Sequence, residues 1–102
     1  MKHAKSTIRL LASAERDFAD IIDYMLAENP LAAMDLAEQI EKNLLNLQAN
    51  PQLGRIPNDE KLLRMGYRYL IVLDFLIFYK IEERTILIYR IIDGARNYKD
   101  LL

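Results

Sequence analysis

A chain of 102 residues, 52% hydrophobic and 28% charged, fits one soluble globular domain over residues 1–102 and leaves no room for a second core. Fourteen basic and fifteen acidic side chains give a formal net charge of −1, which excludes a generally basic nucleic-acid coat but not a local basic patch. There is no cysteine, so disulfides, thiolate metal sites and cysteine nucleophiles are ruled out, and with His3 near the terminus as the sole histidine, histidine-based catalysis and histidine-rich metal sites are not expected.

The opening Met1-Lys2-His3-Ala4-Lys5-Ser6 lacks the pattern of a secretory leader, and the apolar run after it is broken by Arg9. The longest apolar stretch, Leu70 to Tyr79, is interrupted by Asp74 and is too short for a membrane helix. Residence in the cytoplasm is therefore expected. Thr7 to Leu11 is a β-branched and aliphatic run that predicts a first strand. Ser13 is the expected cap of the helix that follows, with Glu15 and Asp17 in its first turn, where the helix dipole favours anions. Phe18, Ile21, Ile22 and Met25 form one apolar stripe. Asp17, Asp20, Asp23 and Glu28 are expected to lie mostly on the solvated side.

Asn29-Pro30 ends that helix and starts the next, because asparagine caps and proline fits the first helical position. Ala33, Leu36, Ala37, Ile40, Leu44 and Leu47 give the second stripe, stopped by Asn50-Pro51. So short a connection makes the two helices an antiparallel hairpin. Pro51 to Asp59 is turn chemistry and predicts a loop. Three strands are expected after it: Arg64 to Val72, Leu76 to Glu82 and Thr85 to Ile92, with turns at Asp74 and Glu83-Arg84. Arg96 to Leu102 reads as a short polar tail ending in Leu-Leu. The fold class is α+β: an N-terminal strand, an antiparallel helical hairpin covering one face, then a three-stranded antiparallel meander. Charge divides unevenly, with five basic and eight acidic side chains in residues 1–50 but nine and seven in residues 51–102.

Several segments in this order carry a family resemblance. They are Ala14-Glu15-Arg16-Asp17-Phe18-Ala19-Asp20-Ile21-Ile22-Asp23-Tyr24, Asn50-Pro51-Gln52-Leu53-Gly54-Arg55 and Tyr67-Arg68-Tyr69-Leu70-Ile71-Val72. The most specific are Leu76-Ile77-Phe78-Tyr79-Lys80-Ile81 and Tyr89-Arg90-Ile91-Ile92-Asp93-Gly94-Ala95-Arg96-Asn97-Tyr98. Together they resemble the RelE/ParE superfamily of bacterial type II toxin–antitoxin toxins, over nearly the whole chain.

The resemblance implies a small growth-inhibiting toxin, neutralised by direct binding of a cognate antitoxin in a toxin–antitoxin hetero-oligomer, with no cofactor and no metal. RelE-like members cleave mRNA in the ribosomal A site, and ParE-like members act on DNA gyrase. Metal-free RNA cleavage needs a base, an acid and cations at the phosphorane. The residues that the resemblance points to are Arg68, Arg90, Arg96 and Tyr98, with Lys99 beside them. The RelE-like pattern survives in part only: Leu70 and Leu76 stand at two of its basic positions, and the spacing to Tyr98 differs. Ribosome binding also rewards a basic protein, whereas the sequence pI here is 5.8. The ParE-like branch is favoured. The alternatives are a ribosome-dependent endoribonuclease and a non-toxic member that only binds its partner.

The bland readings are that these arginines are surface or salt-bridged residues near Asp93, Asp100 or another carboxylate, and that Tyr79 and Tyr89 pack the sheet with hydrogen-bonded hydroxyls. The last strand is expected to present its arginines to a macromolecular target. An antitoxin segment is expected to fold into a groove beside that strand and the helical hairpin, over Leu101 and Leu102, unless these two close the core.

Overall fold

The computed structural model describes residues 6–102; His3 and the rest of the opening segment lie outside the described residues. The elements in chain order are β1 (Thr7–Leu10), α1 (Ala12–Glu28), α2 (Pro30–Ala49), α3 (Glu60–Arg64), β2 (Arg68–Val72), β3 (Phe75–Glu82) and β4 (Thr85–Asp93), followed by a 3-10 turn at Tyr98–Leu101. One four-stranded sheet has the order β1-β4-β3-β2. The last three strands form the expected antiparallel meander. β1 joins it parallel to β4, with Ile8 opposite Ile86 and Leu10 opposite Ile88, so the sheet is mixed. The final strand is therefore interior, not an edge.

The helical hairpin forms as its punctuation dictates. Asn29 accepts a hydrogen bond from the Ala32 amide at 3.2 Å, and Pro30 occupies the first helical turn, where its missing N–H costs nothing. The stripes of α1 and α2 bury Ala14, Leu36, Ile40 and Leu47 against Leu70, Val72, Ile77, Tyr79, Ile86, Ile88 and Ile91 on one sheet face. Each large apolar side chain removed from water contributes about 1.5–3 kcal/mol, so this layer dominates the stability.

Ser13 is not the cap. α1 begins at Ala12 with Leu11 before it, and the Ser13 hydroxyl donates to the Tyr89 carbonyl oxygen at 2.7 Å. The strand expected from Arg64 starts only at Arg68. Asp59 caps a helical turn by accepting from the Leu62 amide at 2.9 Å, and Leu62 is buried. Gly66, at φ +85°, then reverses the chain in a conformation that favours glycine. The alternation through β2 consequently splits between two faces. Leu70 and Val72 lie under the hairpin, whereas Tyr67 and Tyr69 lie on the other side.

That second face has its own layer. Leu62, Tyr67, Phe78 and Ile92 are buried there, with Tyr69, Leu76, Tyr89, Tyr98, Leu101 and Leu102 packed on them. The C-terminal segment is thus no free polar tail, and its two leucines close the smaller core. Lys99 reaches Asp59 at 3.6 Å, joining the tail to α3.

The Leu62 amide, the largest influence, and Lys99 hold the Asp59 carboxyl below the usual carboxylate range. A carboxyl depressed on folding adds stability above its unfolded pKa of about 4, and that stability is lost as pH falls through the folded value. Asp59→Ala is therefore expected to lower the thermal midpoint at pH 7. The deficit should shrink as pH falls below about 4, read from melting curves of both proteins over that range.

Candidate functional site

Arg90 and Arg96 line one cleft of about 390 Å³ between α1 and the second half of β4, together with Asp17, Asp20, Tyr24 and Phe75. β1 covers only the first half of β4, so the edge beyond Ile88 would be open. Two side chains of α1 close it: Ser13 on the Tyr89 carbonyl and Asp17 on the Ile91 amide, the latter at 3.0 Å. Asp17 also forms a two-pronged pair with Arg90, whose Nε donates to Oδ2 at 2.7 Å and whose Nη2 donates to Oδ1 at 2.9 Å. The remaining prong, Nη1, donates to the Leu101 carbonyl at 2.9 Å. One guanidinium thereby links β4, α1 and the C-terminal turn. The hydrogen bonds that Arg90 donates to Asp17 raise the pKa of the guanidinium above its ordinary value. Arg90 is held against the helix and is not presented outward by the last strand, which corrects the expectation above.

Arg68 is also engaged internally. Its Nη1 donates to the Gly54 carbonyl at 3.2 Å and to that of Gln52 at 3.5 Å, closing the loop after α2. The same loop is fixed from below by the buried Tyr79, whose hydroxyl accepts from the Gly54 amide and donates to the Pro51 carbonyl, each at 2.8 Å. Arg55 then bridges Tyr69 and covers part of the β2 edge. Burial, the leading cause, raises the phenol pKa of Tyr79, and it raises that of Tyr67 as well. Both phenols stay protonated at neutral pH and can donate hydrogen bonds but not act as bases.

Tyr98 stacks on Phe78 with ring centroids 5.2 Å apart, inside the second layer. Arg96 is exposed, and its amide donates to the Asp93 carbonyl. Among the described residues no side-chain hydrogen bond or ion pair joins any two of Arg68, Arg90, Arg96 and Tyr98; Arg96 and Tyr98 meet only through the Tyr98 amide, which donates to the Arg96 carbonyl at 2.9 Å. The sheet does carry a cation that residue order did not single out: Lys80 lies 4.5 Å from the Tyr67 ring centre and 5.0 Å from that of Tyr89. Asp17 was likewise assigned to the solvated side. Its signal was present, since it stands four residues before Ile21 and so borders the apolar stripe, as Asp20 and Asp23 do not. Among the described residues no three His, Asp or Glu side chains are grouped to hold a metal ion, and no helix is long and apolar enough to cross a membrane.

The chain thus carries a helical hairpin on a short mixed sheet, with the edge of its last strand sealed by the first helix. The family model for the ParE toxin of the type II toxin–antitoxin system parDE matches residues 8–98, and the chain belongs to that family. Two solved structures share the fold. The chromosomal ParDE toxin–antitoxin system of P. aeruginosa superposes with a TM-score of 0.71 at 22% identity, over 89% of this chain and 98% of that one. The RelBE2 toxin–antitoxin complex of Mycobacterium tuberculosis gives 0.64 at 20% identity, over 93% and 98%. No curated protein sequence matches the chain.

Proposed function

We propose that this toxin arrests bacterial growth by acting on DNA gyrase, and that a cognate antitoxin neutralises it by direct binding. The observation that carries this reading is the engagement of both sheet arginines: Arg90 by Asp17 and Leu101, Arg68 by the Gly54 loop. A metal-free ribonuclease must gather free cations around a phosphorane. Here the two RelE-like basic positions are leucines, Leu70 buried under the hairpin and Leu76 packed on the opposite face, and the candidate acid–base Tyr98 packs half-buried against Phe78. The family and the net charge of −1 support the same branch.

The antitoxin has a matching surface at β1. Thr7 directs its amide to the carbonyl of Arg84, in the turn before β4, and Leu11 to that of Ile88 in β4, so the amides of Ile8 and Leu10 face outward. Gln48 closes the edge at Ser6, and beyond it runs an apolar cleft of about 460 Å³ between β1 and α2, lined by Ile8, Leu10, Phe18, Ala37, Ile40 and Leu44. An extended antitoxin segment would add a strand there and bury alternate side chains in the cleft. On this reading the antitoxin lies beside the first strand, since the last strand is interior to the sheet. Purified toxin is expected to block supercoiling by gyrase. Untouched supercoiling together with mRNA cleavage on ribosomes would abandon the gyrase assignment.

A further inference from the structure

The turn between β2 and β3 is built from two residues, Leu73 and Asp74, between the paired Val72 and Phe75. Its first residue must take a positive φ, a place where glycine is strongly preferred. Leucine fills it at φ +54°, with its side chain 54% exposed. The β3–β4 turn makes the same demand at Glu83, φ +56°, but fills it with a charged residue at home in water. Leu73 thus combines an unfavourable backbone conformation with an exposed apolar side chain, and nothing within the fold repays either.

The surroundings continue this pattern. Ile71 is 50% exposed, and with Leu73, Leu76 and Ala95 it lines an open concavity of about 380 Å³. The rim carries two carboxylates, Asp74 and Asp93. Tyr69 spends its outward N–H and C=O on Arg55, and by the two-residue period the backbone of Ile71 faces outward one rung further on, past the end of that bridge. An apolar floor, an acidic rim and an open strand edge fit a protein segment that offers an apolar side chain next to a lysine or arginine. They repel a phosphate backbone.

We infer that this hairpin tip is the surface by which the toxin grips its protein target, with Leu73 as the anchor and Asp74 and Asp93 selecting a basic neighbour. The inference rests on the gyrase reading above and supplies the contact surface that reading lacks. The tip lies on the β2 edge, whereas the antitoxin cleft lies on the β1 edge, at the opposite side of the sheet. The two surfaces can therefore be separated by mutation.

The test compares wild type, Leu73→Gly and Asp74→Lys in three measurements: thermal midpoint, inhibition of supercoiling by purified gyrase, and growth arrest on induction. Glycine relieves the turn, so Leu73→Gly should melt at or above the wild-type midpoint while losing at least tenfold in gyrase inhibition and in growth arrest. Asp74→Lys should keep the midpoint and lose both activities to a similar degree. Co-purification with the product of the adjacent reading frame should be retained by both variants. Full inhibition and arrest by Leu73→Gly would overturn the tip while leaving the gyrase reading intact, as would loss of antitoxin binding along with activity. A wild type that arrests growth without affecting gyrase would remove the gyrase reading alone, and the tip would then stand or fall on the growth assay of the two variants. A wild type that arrests nothing overturns both.

Discussion

Arg90→Ala is expected to destabilise the protein by about 3 kcal/mol, a fall in thermal midpoint of roughly 15 °C for a domain of this size. The side chain is 24% exposed and its partner 15%, so neither is shielded by bulk water as a surface pair would be. Removing the guanidinium leaves the Asp17 carboxylate with only the Ile91 amide, and it frees the Leu101 carbonyl. The first loss costs more than the net value of the pair, because a half-buried carboxylate remains without its cation. Arg90→Lys restores charge but not the two-pronged geometry, and about half of the loss should persist. Asp17→Ala should cost a similar amount, and Arg90→Ala combined with Asp17→Ala should cost well below the sum of the two, with a coupling of about 1–2 kcal/mol. Chemical denaturation of the four proteins measures this directly. Additive costs would show that the pair does not hold the helix to the strand.

Gly54→Ala should be comparably damaging, at about 3 kcal/mol. A methyl group at that position would stand 2.6 Å from the Tyr79 Cε1 atom and 2.9 Å from Cζ. Tyr79 has no exposed surface and cannot swing aside, so the loop must move off instead. That movement breaks both hydrogen bonds of the phenol and the grip of Arg68 on the Gly54 carbonyl. Tyr79→Phe, which removes the hydroxyl alone, should cost about 1–2 kcal/mol. In the Gly54→Ala background the same change should cost almost nothing, since the bonds are already lost. Melting curves of the single and double variants test this, and equal costs of Tyr79→Phe in both backgrounds would contradict the clamp.

What could be read from residue order was what local chemistry decides. Asn29-Pro30 places a helix end and a helix start within two residues, and two apolar stripes of helical period make the hairpin almost unavoidable. The meander followed from three aliphatic runs and two short polar turns. Partner choice at a distance was not legible. Nothing in Thr7 to Leu10 says that it pairs parallel to β4, because parallel and antiparallel edges of this length carry the same residues. The turn of helix at Glu60–Arg64 is only five residues long, too short for periodicity, and its one local mark is Asp59 at the capping position. The site fared likewise. Arg68 and Arg90 stand out in the sequence as candidate site cations, but the carbonyl and the carboxylate that occupy them come from 14 and 73 residues away. Leu73 escaped notice because an aliphatic residue in a strand-rich stretch reads as strand until a positive φ shows it to be a turn.

The proposed action on gyrase, and not on RNA, follows from sheet arginines that serve the fold. It is tested most directly by inducing the chain in growing bacteria and mapping the nucleic-acid damage within minutes of arrest. Chromosomal breaks that a gyrase-protecting mutation suppresses, with messenger RNA left whole, are the result predicted. Codon-aligned cuts in ribosome-bound messages, with the chromosome intact, would contradict it.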